Sequence, residues 1–294
     1  MSPEALARFT AAADALPVYL DNLGLADVGP LAGSALSPNV LREVVRADGT
    51  PAVLKLVGEA QRGESATLAA WTANGVSCPA LLEAGIGTWR PGVTHLLLAK
   101  ADGEPLPHVG MPAATAEVCR VLASAHISPP PGVVPLTDFL SPRLRGAVPV
   151  WTAAGLPSPE GAVKSVAALP GPVVLLHGDP VGMNLLVDGA GVVLLDPVGV
   201  TGPAEFDAGC WVARCLAVAP LGALGELMDA AAGADPSLRR EVLAVCVALE
   251  LVIEVRHRLA SAHVFLGAGA NPATFEVTTS QLAEAALATL ATSS

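Results

Sequence analysis

The polar residues with the clearest chemical potential lie in the stretch 173–196, which reads VVLLHGDPVGMNLLVDGAGVVLLD. Asp179 and Asn184 follow the first apolar run, and Asp196 ends the last one. The Asp-Gly-Ala-Gly sequence at 188–191 predicts a turn between two strands. A hairpin around that turn would place Asn184 directly opposite Asp196, with Cβ atoms about 4.5–5.5 Å apart. Two carboxylates and an amide that meet at strand ends predict a site for a hard divalent cation, most simply Mg²⁺.

Each of these side chains also has a purely structural interpretation. Asp179 precedes Pro180 and suits a turn, Asn184 suits a loop cap, and Asp196 precedes a proline that ends a strand. The combination of all three in one hairpin favours the metal interpretation. We expect His177 to fix the loop by hydrogen bonding rather than to accept a proton.

A lysine inside an apolar strand is the second candidate. The segments 40–46 and 52–57 flank Ala-Asp-Gly-Thr, a turn sequence that predicts a β-hairpin. Lys55 interrupts the second strand, VLKLV, and a buried charge without a partner is very costly. Lys55 therefore needs a carboxylate or a phosphate, unless it lies on an edge strand and guards against aggregation.

Two neighbouring features supply partners for that lysine. In the predicted helix 59–73, Glu64 lies on the same face as Leu68 and Trp71 and therefore points inward. Upstream, a Gly/Ser-rich loop could lay backbone N–H groups over a phosphate, although the GxxxxGK[ST] pattern is absent. The candidates in that loop are Gly33, Ser34 and Ser37.

The motif HGD-x-x-x-x-N, followed by an apolar strand and Asp-Pro-Val-Gly, resembles the catalytic and metal-binding segments of the aminoglycoside phosphotransferase family, which is related to protein kinases. The segment LLDPVGVTGPAEFDAG is most similar to the branch of streptomycin 6-phosphotransferases and hydroxyurea-type resistance kinases. Family members usually read HGD-Leu-His-x-x-Asn, where this chain has Pro180 and Val181. The resemblance extends over about residues 36–215 and is strongest over 177–207.

The resemblance implies a bilobal, protein-kinase-like α+β fold. A small β-sheet lobe would span 1–98, a hinge 99–103, and a larger, mostly helical lobe 104–294. ATP would lie in the crevice, with Mg²⁺ held against its phosphates.

The resemblance also implies roles for individual residues. Asp179 would be the catalytic base, and Asn184 and Asp196 would hold Mg²⁺. Lys55 would contact the α- and β-phosphates, and Glu64 would orient that lysine.

Further residues follow from the same resemblance. Glu59 is the alternative to Glu64 as the glutamate that orients the lysine, and the backbone at Ala99 and Ala101 would bind adenine. Asp207 would brace the catalytic loop, although it could also cap the helix predicted from Ala208.

Acidic residues in the C-terminal half are candidates for binding the acceptor. Glu250 and Glu254 stand four residues apart in the predicted helix 237–260, and Glu205 precedes another helix. These carboxylates could line a cleft for ammonium or guanidinium groups. The alternative is a surface ladder that includes Arg258, each pair worth about 0.3–0.5 kcal/mol.

Composition limits the class of protein. The net charge of −11 argues against nucleic acid as a partner and is compatible with a cationic substrate. No apolar run reaches the length of about 18 residues that a transmembrane helix needs, and the N-terminus does not read as a secretory signal. The five cysteines form no CxxC pattern and are expected to be reduced, as in the cytoplasm.

Apolar spacing predicts most of the remaining elements. Helices are expected at 4–20, 112–127, 222–233 and 276–290, and the proline-rich segment 128–149 is expected to be irregular.

The sequence therefore predicts a monomeric cytoplasmic O-phosphotransferase that uses ATP and Mg²⁺ and inactivates a small hydroxylated, cationic antibiotic. Three alternatives remain open: a kinase of an amino alcohol or sugar metabolite on the same fold, a non-catalytic nucleotide-binding module, and a metal-dependent hydrolase. The strand lysine and the lack of clustered histidines count against the hydrolase.

Overall fold

A computed structural model describes residues 3–32, 37–58, 63–106, 112–156, 158–167, 169, 171–189, 191–217, 223–262 and 272–292. The chain divides into two compact units. The first comprises Met1–Glu104, Pro130–Gly132 and Val187–Leu195, and the second comprises Pro105–Pro129, Val133–Leu186 and Asp196–Ser294.

The first unit is built on a five-stranded antiparallel sheet with the strand order β1-β2-β3-β5-β4. The predicted hairpin is confirmed, because β2 and β3 pair across the turn at residues 46–50. The strands are β1 (Ala26–Pro30), β2 (Val40–Val45), β3 (Pro51–Val57), β4 (Leu81–Ile86) and β5 (Thr94–Ala99).

Helices α1 (Pro3–Leu23) and α2 (Gly63–Ala73) belong to this unit, and each contributes to a different face of the sheet. Successive side chains of a strand point to opposite faces. Leu54 and Leu56 pack with Tyr19 of α1, so Lys55 between them faces the other side. Since β3 lies between β2 and β5, the interpretation of Lys55 as an edge-strand residue is wrong.

The second unit is mainly helical. Helix α7 packs on α9, and Gly209 allows their close approach because a Cβ there would lie 2.7 Å from Cys246 Cβ. The helices are α3 (Pro112–Ala125), α4 (Leu136–Arg145), α5 (Ala147–Ala153), α6 (Glu160–Ala167), α7 (Glu205–Leu216), α8 (Leu224–Ala234), α9 (Arg240–Ala260) and α10 (Pro272–Thr292).

Short strands complete the fold. One three-stranded sheet has the order β7-β11-β8 and another has the order β10-β9-β6. The strands are β6 (Glu104–Pro105), β7 (Val134–Pro135), β8 (Val174–Leu176), β9 (Leu185–Asp188), β10 (Gly191–Leu194) and β11 (Val200–Gly202).

The prediction of an irregular proline-rich segment is also wrong. The segment 128–149 contains α4 and the start of α5 instead of irregular chain. Leu136, Leu140 and Leu144 recur every four residues and are buried, so their packing outweighs the helix-breaking tendency of Pro142. Within the ranges given above, no helix has both the length and the apolar character that a bilayer-spanning segment requires.

Candidate active site

The lysine of the central strand has a carboxylate partner. Lys55 Nζ donates to Glu64 Oε2 at 2.6 Å, and both side chains are buried. The predicted partnership is therefore confirmed, because α2 brings Glu64 to the face of β3 from which Lys55 projects. The alternative glutamate, Glu59, lies outside the described residues. The assignment of this pair to ATP binding stays a prediction.

The other predicted nucleotide contacts are main-chain or loop groups. Ser37 is half-buried, and its Oγ accepts the backbone N–H of Asn39 at 3.1 Å. Gly33 and Ser34 fall outside the described part of the chain.

At the predicted hinge, the N–H of Ala99 donates to the carbonyl of Ala80 at 2.9 Å. That donor is therefore occupied within the protein, which leaves Ala101 as the predicted hinge residue to test for adenine binding.

The loop that carries Asp179 is fixed by a carboxylate from α7. The two oxygens of Asp207 accept the backbone N–H groups of His177 and Gly178, each at 2.8 Å. His126 Nε2 lies 3.1 Å from the same carboxylate. The predicted brace is confirmed, whereas the predicted cap is wrong, because α7 begins at Glu205 and Asp207 lies within its first turn.

The backbone of this loop is tightly constrained at Gly178. Its φ is +82°, and a Cβ there would lie 2.9 Å from Val200 Cγ2. Any other residue would meet both the strained conformation and the neighbouring valine.

Asn184 and Asp196 flank the hairpin rather than pair within it. Asn184 ends a 3₁₀ turn that begins at Gly182 and precedes β9, and Asp196 lies beyond the end of β10. Neither residue is itself part of a strand, and their opposition at the end of the hairpin stays a prediction. Asp196 has a φ of +52°, which is uncommon for a residue other than glycine and is often found at functional sites.

Hydrogen bonds orient Asn184 towards the loop that carries Asp179. Its Nδ2 donates to the backbone carbonyl of Asp179 at 3.0 Å, and its own N–H donates to Val181 at 2.8 Å. Because the amide nitrogen binds the loop, the amide oxygen is the atom available to a metal ion. The side chain of Asp179 is half-buried.

An arginine that was not predicted lies beside Asp179. Arg214 Nη2 is 3.9 Å from Asp179 Oδ1, and Arg214 Nη1 forms an ion pair with Glu254. Burial lowers the pKa of Arg214, but the negative charges around it outweigh burial and raise that pKa above its ordinary value. The guanidinium is therefore a fixed positive charge next to the predicted base.

Glu250 lies one turn from Glu254 and is buried. Its Oε2 lies 3.7 Å from Cys210 Sγ, and burial raises its pKa to about 7, against the opposing effect of Arg214. Since Glu250 and Glu254 are both buried, the interpretation of these residues as a surface ladder is wrong.

Glu205 is bound by Arg239. Arg239 donates to it from both the backbone N–H, at 3.0 Å, and Nε, at 2.7 Å. Burial alone would raise the pKa of Glu205, but the hydrogen bonds from Arg239 hold that pKa below its ordinary value. This geometry favours a structural role over the predicted role in binding the acceptor.

Sequence reasoning missed Arg214 and Arg143, the two arginines close to the predicted base. Arg214 stands in FDAGCWVARCL, a helix that is apolar on nearly all sides. The argument that singled out Lys55, that a charge in an apolar element needs a partner, applies equally to Arg214. Arg143 lies in a segment that was expected to be irregular, so no face could be assigned to it.

Known structures share this architecture. No protein-family model matches the sequence, and no curated protein matches it. A structure of a putative aminoglycoside phosphotransferase from Ralstonia eutropha is 15% identical and covers 95% of this chain and 98% of its own, with a TM-score of 0.59. A choline/ethanolamine kinase family protein from Mesorhizobium loti is 18% identical over 90% of this chain and 87% of its own, with a TM-score of 0.54.

A third structure, a thermostable mutant of the aminoglycoside phosphotransferase APH(4)-Ia in a ternary complex with ADP and hygromycin B, is 14% identical over 93% of this chain and 97% of its own, with a TM-score of 0.56. The chain shares the fold of these structures. The predicted α+β, kinase-like class is thereby confirmed.

The site residues fit the way in which proteins usually bind magnesium. In the ranges that the structure describes, no group of three or more His, Cys, Asp or Glu side chains could hold a metal ion by itself. Mg²⁺ is usually bound by one or two carboxylates together with phosphate oxygens and water, rather than by a cage of protein ligands. An exposed Asp196 and an oriented Asn184 amide fit that pattern.

Proposed function

We propose that this protein is an ATP- and Mg²⁺-dependent O-phosphotransferase that phosphorylates a hydroxyl group of a small molecule. The observation that carries the proposal is the buried Lys55–Glu64 ion pair, on a fold that also holds the braced Asp179 loop. A buried ion pair seldom stabilises a fold more than apolar residues of similar volume would. Its presence in a central strand is better explained by a polyanionic ligand such as ATP.

Each site residue has a defined task in this mechanism. Lys55, oriented by Glu64, binds phosphate oxygens of ATP. Mg²⁺ held by Asn184 and Asp196 would neutralise phosphate charge. Asp179 accepts the hydroxyl proton as the acceptor oxygen bonds to the γ-phosphorus and the bond to the β-phosphate oxygen breaks, which releases ADP.

We infer that the acceptor is either an antibiotic or a small metabolite, and the two hypotheses have different support. The similarity of the segment 194–209 to streptomycin- and hydroxyurea-type kinases supports an antibiotic. The fold shared with a choline/ethanolamine kinase family protein supports an amino alcohol or a related metabolite.

The cellular setting follows from the same proposal. The five free cysteines suit a reducing compartment with ATP, so we propose the cytoplasm. We propose a monomer as the working form, which a measurement of molar mass in solution would test.

The proposal is tested with purified protein, Mg²⁺-ATP and an acceptor panel of aminoglycosides, hydroxyurea, choline, ethanolamine and hydroxy acids. We expect a product heavier by one phosphoryl group in mass spectra. Asp179→Asn should lower turnover about 10²–10⁴-fold, because the general base is lost, while ATP affinity stays within about twofold. The matched control, Asp138→Asn, changes an exposed carboxylate of the second unit and should keep full turnover.

Two results would contradict the proposal. One is full turnover in Asp179→Asn, which would remove the assigned base. The other is Mg²⁺-dependent ATP binding without phosphorylation of any acceptor, which would support a non-catalytic nucleotide-binding module instead.

A further inference from the structure

The acids close to Asp179 are already engaged within the protein. Glu254 forms an ion pair with Arg214, and Glu250 is buried against the Cys210 thiol. Burial raises the pKa of Glu250 to about 7, so the Glu250 carboxyl is protonated, and therefore uncharged, in a large fraction of the molecules at neutral pH. These two carboxylates therefore offer little to a cationic acceptor, contrary to the expectation from the sequence.

Unlike these acids, an arginine on α4 has polar groups that no other residue engages in the part of the chain that the structure describes. Arg143 is half-buried, and its guanidinium carbon lies 3.8 Å from the ring centroid of Phe139. No hydrogen bond or ion pair joins this guanidinium to another residue in the described part of the chain. It nevertheless lies within electrostatic range of Asp179 and Glu250, whose charges oppose the lowering of its pKa by burial.

Arg143 is one of several arginines that interact electrostatically with the groups around the predicted base. Arg214 Nη2 lies 3.9 Å from Asp179. Burial, followed by the charges of Arg214, Arg256 and Arg143, lowers the pKa of His257 to about 4. Three arginines thus act on one imidazole, although the whole chain carries a net charge of −11.

A half-buried guanidinium with open donors is suited to one kind of ligand. Its planar fork can donate two parallel hydrogen bonds to a carboxylate or a phosphate group. The guanidinium carbon also lies over the ring of Phe139, a cation–π contact that restrains the position of the group.

We propose that the acceptor carries an oxyanion group, a carboxylate or a phosphate, which Arg143 binds while Asp179 takes the proton of the acceptor hydroxyl. This inference rests on the proposed phosphotransferase activity and adds the chemical class of the substrate. It makes Arg143 a residue that determines specificity, and it replaces the cationic acceptor expected from the sequence.

The experiment compares acceptors that share one carbon skeleton. Hydroxy acids of three to six carbons are tested beside their amides, the corresponding amino alcohols and the corresponding monophosphates. We expect kcat/KM to be at least about tenfold higher for a member with an oxyanion than for its amide, and lowest for the amine. Comparing the hydroxy acids with the monophosphates shows which of the two oxyanions is preferred.

Variants then assign the preference to one side chain. Arg143→Gln should lower kcat/KM for the preferred acid about tenfold to hundredfold, mostly through KM, and leave the amide unchanged. Arg143→Lys keeps the charge without the fork and should recover part of the loss. Arg145→Gln is the matched control, because Arg145 is exposed on the same helix. A thermal melt of each variant checks that it is folded.

A binding measurement separates this inference from the proposed function. The protein loaded with Mg²⁺ and ADP is titrated by calorimetry with the same acids, amides and amines. Binding of the acids that is lost in Arg143→Gln supports the inference even if no turnover is found. Amines that bind or react as well as acids, or an acid preference that survives in Arg143→Gln, would overturn it and leave the phosphotransferase proposal intact.

Discussion

Each of the two compact units holds an ion pair among the candidate site residues, and the surroundings of the two pairs differ. In the first unit, Lys55 and Glu64 have side-chain exposures of 4% and 6%. In the second unit, Arg214 and Glu254 have exposures of 19% and 11%, and Arg214 also lies 3.9 Å from Asp179. One pair is sealed under a sheet, whereas the other is shared and partly open to water.

This difference indicates what each pair does. A sealed pair keeps its charges only while both partners are present, because neither side chain can turn to solvent. A shared pair can redistribute, because Arg214 has a second acid within reach. We therefore expect changes at Lys55 to affect stability strongly and changes around Arg214 to affect catalysis and its pH dependence.

The largest effect is expected for Lys55→Met. This variant leaves a buried carboxylate without its lysine, which should lower the free energy of unfolding by about 3–5 kcal/mol. Phosphate binding is lost as well, so ATP turnover should be undetectable. Urea denaturation and a turnover assay with the preferred acceptor measure the two effects.

A double variant separates stability from function in the sealed pair. Lys55→Met combined with Glu64→Leu removes both charges and should recover most of the stability but none of the turnover. Turnover in this double variant would refute the assignment of Lys55 to the phosphates.

The contrast between the two pairs also explains how far the sequence could be interpreted. Lys55 interrupts the apolar run 53–57, and strands alternate with a period of two, so the sequence indicates both its buried position and its need for a partner. Glu64 was identified because Leu68 and Trp71 mark its face of the helix. The brace from Asp207 was expected from the family resemblance and is present.

Other features depend on packing between distant elements and could not be predicted. The Arg214–Glu254 pair forms because Gly209 lets α7 approach α9 closely, and no spacing within either helix specifies that contact. The segment around Leu140 was misassigned because its prolines hid a four-residue apolar repeat. The left-handed backbone of Asp196 is likewise a feature that a side-chain pattern does not reveal.

The second prediction concerns pH and Glu250 in the shared cluster. Its pKa is about 7 in the folded protein and has an ordinary value of 4.5, so the folded state binds the proton more tightly. Stability from this group is complete below about pH 4.5 and is lost as the pH rises towards 7. Glu250→Gln removes this dependence, so relative to the parent protein it should gain up to about 3 kcal/mol between pH 5 and pH 8.

The stability of Glu250→Gln must be compared with that of the parent protein at each pH, because other groups titrate in the same range. The lowered pKa of His257 acts in the opposite direction, since stability from that group rises between about pH 4 and pH 6.5. Denaturation midpoints are therefore measured for both proteins at each pH and subtracted. A difference that does not change with pH would contradict the assignment of the raised pKa to Glu250.

The smallest change in the free energy of unfolding is expected for Glu254→Gln, and the same type of substitution at Glu64 provides the comparison with the sealed pair. Glu254→Gln keeps the shape of the side chain and should cost only about 1 kcal/mol, because water reaches the pair, whereas Glu64→Gln should cost about 3 kcal/mol in its sealed position. The kinetic effect should be larger than the loss of stability suggests. Without the Glu254 charge, Arg214 can close the 3.9 Å gap to Asp179 and weaken that carboxylate as a base, so kcat should fall while KM for ATP is unchanged. Equal losses of stability in the two variants, or an unchanged kcat in Glu254→Gln, would remove the distinction between a sealed pair that binds ATP and a shared pair that tunes the base.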